Sequence, residues 1–189
     1  MRKLFYAVAA VVMALPLTAA TMKNVHGWNT WQRPGEGGKF ERIRPSGDRG
    51  GMLKILPDPG KERYSMHAYG HDPAQPDQKK KYTVKLACSP DLNPGVTLTF
   101  LLKAKTTGGA WYNPFGKTLS TSLLAVPGSE PQMTLEVDLK QLKADKITHV
   151  VPYITVNGLT RGSVTIRELD VETEKSSWQP APRPKKGRQ

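Results

Sequence analysis

An all-β sandwich or barrel is the fold class that this 189-residue sequence predicts. Three observations carry the prediction. Apolar residues recur with period two, Gly and Pro punctuate the chain at short intervals, and helical periodicity is almost absent. The clearest alternation sets Tyr82, Val84, Leu86 and Cys88 on one face against Thr83, Lys85 and Ala87 on the other. A strand with one charged face has one side on a core and one side in water.

The elements follow in order. Arg2 and Lys3 precede an apolar run from Leu4 to Leu15, broken at Pro16 and closed by Thr18-Ala19-Ala20. A charged start, a short apolar stretch and a small-residue end form a secretory signal peptide, with cleavage expected after Ala20. The run is too short for a membrane span, which takes about 20 apolar residues. The domain is then expected over 21–175. Lys23 to Gly51 is polar and Gly-rich, with Trp28 and Trp31 and a short strand around Phe40 and Ile43. Met52 to Leu56 is a strand that stops at Pro57-Asp58-Pro59-Gly60, a strong turn signal. Arg63 to Tyr69 alternates, and Asp72 to Asp77, with two prolines, is a loop. Pro90 to Gly95 turns into a strand from Val96 to Lys105. Thr106 to Gly116 is a loop, and Thr118 to Val126 and Met133 to Leu139 are strands. Leu139 to Lys146 reads equally as a helical turn or a loop. Thr148 to Val156 is a strand that turns at Asn157-Gly158. In the last strand, Gly162 to Glu172, the apolar phase slips between Ile166 and Leu169, which predicts a bulge at Arg167-Glu168. Ser176 to Gln189 is rich in Pro and Lys and reads as a disordered tail.

Composition narrows the setting. One cysteine, Cys88, excludes an intrachain disulfide, so the core alone must hold an exported domain together. The chain has 28 basic and 16 acidic residues, and losing Arg2 and Lys3 lowers its net charge from +12 to +10. Such a field favours anionic partners: acidic or sulfated glycans, nucleic acid or an anionic surface. Export argues against nucleic acid despite the basic runs Lys79 to Lys81 and Lys185 to Arg188.

Two stretches carry a family likeness. Asn93-Pro94-Gly95 runs into Leu98 to Lys105, and Val151 to Gly158 is followed by Gly162 to Glu172. With the strand Gly51 to Leu56 before them, they resemble the jelly-roll carbohydrate-binding modules, of the cellulose- and xylan-binding type within the galactose-binding-domain-like fold. The resemblance spans roughly Lys23 to Glu172. It implies an antiparallel β-sandwich, a jelly roll, and a non-catalytic protein whose partner is a polysaccharide or glycan. No cofactor is expected, although the family's structural calcium leaves one such ion open. Arg167 and Glu168 stand where the family often has two aspartates, which leaves Asp170 and Glu41 as candidate oxygen ligands, and such an ion needs several oxygens converging.

Two surfaces could recognise a sugar. Aromatic rings cover its C–H face at little entropic cost, and Trp111-Tyr112-Asn113-Pro114-Phe115 offers three of them in one loop. By parity, Lys103, Lys105, Lys85, His149, Tyr153 and Arg167 all point away from the apolar side. On neighbouring strands they would form a basic groove in which Arg grips an anion with two hydrogen bonds and Lys acts as a point charge. The candidate ligand-binding set is therefore Trp111, Tyr112, Tyr153, Arg167 and Lys103. His67 and His71 are four apart, which in a strand separates them by about 13 Å and excludes shared zinc. No Gly-x-Ser-x-Gly elbow is present. Nothing in the sequence selects a glycosidase pair from Glu130, Glu136, Asp138 and Asp145. The expected function is an exported, periplasmic or secreted, glycan-binding protein. The alternative is an envelope assembly protein that binds another protein through the sandwich and its basic tail.

Overall fold

The computed structural model describes residues 18–22, 25, 30, 38–47, 50–67, 72–107, 111–112, 119–141, 147–177 and 179. The described strands are β1 (Thr18–Met22), β2 (Lys39–Ile43), β3 (Met52–Leu56), β4 (Arg63–His67), β5 (Asp72–Pro73), β6 (Gln78–Cys88), β7 (Thr97–Thr106), β8 (Trp111–Tyr112), β9 (Ser120–Leu124), β10 (Gln132–Asp138), β11 (Ile147–Asn157) and β12 (Val164–Lys175). They form two antiparallel sheets. Sheet A has the order β10-β6-β12-β3-β2, and β1 takes over the flank of β12 where β3 leaves it. Sheet B is centred on the β11–β7 pair. There β4 and β5 share the far flank of β11, and β8 and β9 share that of β7.

Period two explains why the sheets face each other. Tyr82, Val84, Leu86 and Cys88 of β6 are buried beside Val164, Ile166, Leu169 and Val171 of β12. Leu98, Phe100, Leu102 and Ala104 of β7, with Val150, Ile154 and Val156 of β11, complete one cluster between the sheets. Each fully buried large side chain contributes about 1.5–3 kcal/mol relative to exposure. The predicted bulge is present. Arg167 has no partner between the Ile166–Leu86 and Glu168–Lys85 pairs. That one extra residue returns Leu169 and Val171 to the core.

One end of the sandwich is closed by the turn that carries the family likeness. Asn93 Oδ1 accepts from the amides of Thr160 and Arg161 at 2.8 and 3.0 Å, while its Nδ2 donates to Gly158 O at 2.8 Å. Gly162 lies beside this turn at φ +78°, and a Cβ there would stand 2.6 Å from Leu92 Cα. Only glycine fits both the backbone angle and the approach.

The structure departs from the sequence expectation at several places. Asp72 and Pro73, expected in a loop, form β5 opposite Val150 and His149. Thr18–Met22 pairs with Leu169–Thr173, so the cleavage site expected after Ala20 falls inside a strand. Ser176, expected as the first tail residue, is buried; its amide donates to Asp77 O and its hydroxyl to Asp138 Oδ2, both at 2.7 Å. Of the remaining tail only Ser177 and Gln179 are described. No helix among the described residues is long and apolar enough to cross a membrane.

Candidate ligand-binding face

The residues that parity placed outward divide between two surfaces. Lys103, Lys105, His149 and Tyr153 lie together on sheet B. Register sets Lys105 opposite His149, Lys103 opposite Val151 and Leu101 opposite Tyr153. Lys103 and Lys105, two apart on one strand, are separated by about 6.6 Å, and neighbouring strands by about 4.8 Å. Lys103 reaches diagonally, with its Nζ 4.0 Å from the centroid of the Tyr153 ring. A cation over a half-exposed ring gains about 0.5–1 kcal/mol. His149 Nδ1 lies 3.0 Å from Thr148 Oγ1, which donates to Lys105 O at 3.1 Å. Further along, hydroxyls replace charges. Thr99 bonds Ser122 at 2.8 Å, and Ser65 approaches Thr155 at 3.5 Å. The described strands of sheet B hold one carboxylate, Asp72, and it is buried between the sheets.

Trp111 pairs with Lys105 and Tyr112 with Ala104, which brings the start of the aromatic loop to this end of sheet B. Asn113, Pro114 and Phe115 lie outside the described residues, as do Trp28, Trp31 and His71.

Arg167 and Lys85 are not part of this face. Both belong to sheet A, on the opposite side of the molecule, and both are engaged by acids. Arg167 contacts Glu130 at 2.7 Å, and Lys85 contacts Glu168 and, at 2.9 Å, Asp170. The same pattern runs the length of β6. Lys81 meets Glu172 at 3.1 Å, and Lys79 meets Glu174 at 3.0 Å and Glu136 at 3.3 Å. Hydrogen bonds to these carboxylates hold the Lys79 and Lys85 ammonium groups above their ordinary range. Asp170 and Glu41, the candidate calcium ligands, each face a lysine, Lys85 at 2.9 Å and Lys54 at 3.5 Å. Among the described residues no group of three His, Cys, Asp or Glu converges on a point.

A third cluster went unread in the sequence. Lys80 points inward, 3% exposed, and donates to Asp72 Oδ2 at 2.7 Å, while Tyr82 donates to the same oxygen at 2.6 Å. Burial first, then the charge and hydrogen bond of Asp72, push the Tyr82 phenol well above its ordinary value. The signal was available: Lys80 shares the parity of Tyr82, Val84 and Leu86, so the same alternation turns it into the core.

No family model matches this sequence, and no curated protein does. Solved structures do match. The xylan-binding domain CBM22-1 of Paenibacillus barcinonensis Xyn10C superposes with a TM-score of 0.52 at 9% identity, covering 84% of this chain and 94% of that one. The family 11 carbohydrate-binding module of Clostridium thermocellum, in complex with a β-1,3-1,4-mixed-linked tetrasaccharide, gives 0.50 at 12% identity, covering 83% and 96%. The fold is that of a jelly-roll carbohydrate-binding module. The CBM22-1–GH10 modules of Clostridium thermocellum Xyn10B, complexed with xylohexaose, give 0.53 at 8% identity; they cover 88% of this chain, which spans 30% of theirs. The chain spans 23% of an arabinose-bound α-L-arabinofuranosidase, with a TM-score of 0.48. At these identities the likeness is one of fold.

Proposed function

We propose that this protein is exported and binds acidic or sulfated glycans, without cutting them, on the outer face of sheet B. One observation carries the reading. Tyr153 and Lys103 stand together on this face, with the Lys103 Nζ 4.0 Å from the centroid of the Tyr153 ring. The Tyr153 ring offers a flat apolar surface to a pyranose, and Lys103 and Lys105 offer point charges to its carboxylate or sulfate. The Lys103 Nζ covers one face of the ring at 4.0 Å, so a sugar would meet the ring's other face or edge with the cation beside it. The fold shared with carbohydrate-binding modules supports the polysaccharide class, and the signal-like sequence pattern of residues 1–20 supports a site of action outside the cytoplasm. Glu136, Glu168, Asp170, Glu172 and Glu174 of sheet A are engaged with lysines, which favours binding over the paired-carboxylate chemistry of a glycosidase.

Affinity electrophoresis tests the reading, with polygalacturonate, a sulfated glycan or neutral xylan cast into the gel. Retardation by the anionic polymers, lost in Lys103→Ala and weakened in Tyr153→Ala, is expected. A folded sample retarded by none of them would sink the proposal. Retardation by xylan alone would remove the anionic preference.

A further inference from the structure

Between the sheets an amine and a carboxyl meet head to head. Lys80 comes from β6 of sheet A and Asp72 from β5 of sheet B, with side chains 3% and 13% exposed. Lys80 Nζ lies 2.7 Å from Asp72 Oδ2 and donates also to Pro73 O at 2.5 Å. The Tyr82 hydroxyl donates to that same Oδ2 at 2.6 Å. Enclosing two opposite charges this far strips both of hydration. An amide built from the same atoms carries neither charge. Fixing the two groups in contact also removes the entropic barrier of a bimolecular condensation.

We propose that Lys80 and Asp72 condense to an intramolecular amide, a covalent tie between the two sheets that is independent of glycan binding. A proton first passes from the Lys80 ammonium to Asp72 Oδ2, giving a neutral amine and a neutral acid. The Nζ lone pair attacks Cγ, the negative charge develops on Oδ1, and the Tyr82 hydroxyl, hydrogen-bonded to Oδ2, holds in place the oxygen that will leave as water. A second proton moves from nitrogen to the hydroxyl bound to Cγ. The C–O bond breaks, the Nζ–Cγ bond remains, and one water leaves. No oxidant, reductant or activating group is consumed.

Intact mass spectrometry of the denatured full chain tests this, after incubation at neutral pH and relative to its observed N-terminus. The expected mass is one water below that of the sequence, with the loss mapping to a peptide that joins Asp72 to Lys80. Lys80→Arg keeps the cation but lacks the attacking amine, and should show the full mass. Warm acid gives a second readout, because Asp–Pro bonds break with help from the free aspartate carboxyl. Asp58–Pro59 should be cut and Asp72–Pro73 spared, whereas both should be cut in Lys80→Arg. A wild-type chain at full mass, a water loss mapping elsewhere, or cleavage at Asp72–Pro73 equal to that at Asp58–Pro59 would each overturn the proposal.

Discussion

The outer faces of the two sheets are built from the same alternating pattern, yet their strands carry different sets of charged residues. On sheet A the lysines of β6 interleave with Glu168, Asp170, Glu172 and Glu174 of β12 and Glu136 of β10, and the charges cancel locally. Sheet B carries Lys103, Lys105 and Arg63 on strands whose only acid, Asp72, turns inward. Ion pairing with immediate neighbours screens the lysines of sheet A from long-range attraction. Lys80 stands apart from both sets, an inward lysine in the strand that supplies the ladder, and its partner belongs to the opposite sheet.

The largest expected effect lies at that inward lysine. Asp72→Ala would leave a buried ammonium unpaired and should lower stability by at least about 3 kcal/mol, measured by chemical denaturation. A loss below about 1 kcal/mol, the range of an exposed pair, would show that Lys80 behaves like its neighbours in the ladder.

Alkaline pH probes the same contrast. Tyr82 has a folded-state pKa raised above its unfolded value near 10, so the folded chain keeps a proton that the unfolded chain releases. The stability this contributes is complete below about pH 10 and falls as pH rises above it, by up to about 1.4 kcal/mol per unit. The raised pKa values of Lys79 and Lys85 act in the same direction and begin at slightly higher pH. Tyr82→Phe should flatten the slope between pH 10 and 11. An unchanged slope there would assign the alkaline loss to the ladder.

Two double variants of equal net charge compare the faces directly. Lys103→Ala with Lys105→Ala should weaken retardation by anionic polysaccharide at least tenfold, about 1.4 kcal/mol. Lys81→Ala with Lys85→Ala should change it less than twofold. Equal losses in both would mean that bulk charge, rather than the face of sheet B, draws the polymer. The smallest effect is on folding. Breaking the exposed Lys81 and Lys85 pairs should cost no more than about 1 kcal/mol in total, read as a shift in denaturation midpoint.

Much of the fold was legible along the chain. The inward sets of β6, β7 and β12, the short β2, the turn at Gly158 and the bulge at Arg167 follow from period two and from turn chemistry, both of which act between near neighbours. Extending the β6 alternation back two residues would also have turned Lys80 inward. The short strands β5 and β8 had no such signal, because two residues cannot display a period. They are strands only because a longer partner, β11 or β7, pairs with them.

The candidate face was half legible for the same reason. Parity states that a side chain points outward, and it does so for Lys85, Lys103, Tyr153 and Arg167 alike. It does not state which sheet a strand joins. The sequence alone determined a basic, disulfide-free, all-β chain with alternating strands. Tertiary pairing decided that Lys81 meets Glu172, 91 residues away, and that Lys103 meets Tyr153 across a strand boundary. Whether an outward charge is matched or left to act at a distance depends on the neighbouring strand, and strand order is a long-range property that local periodicity does not encode.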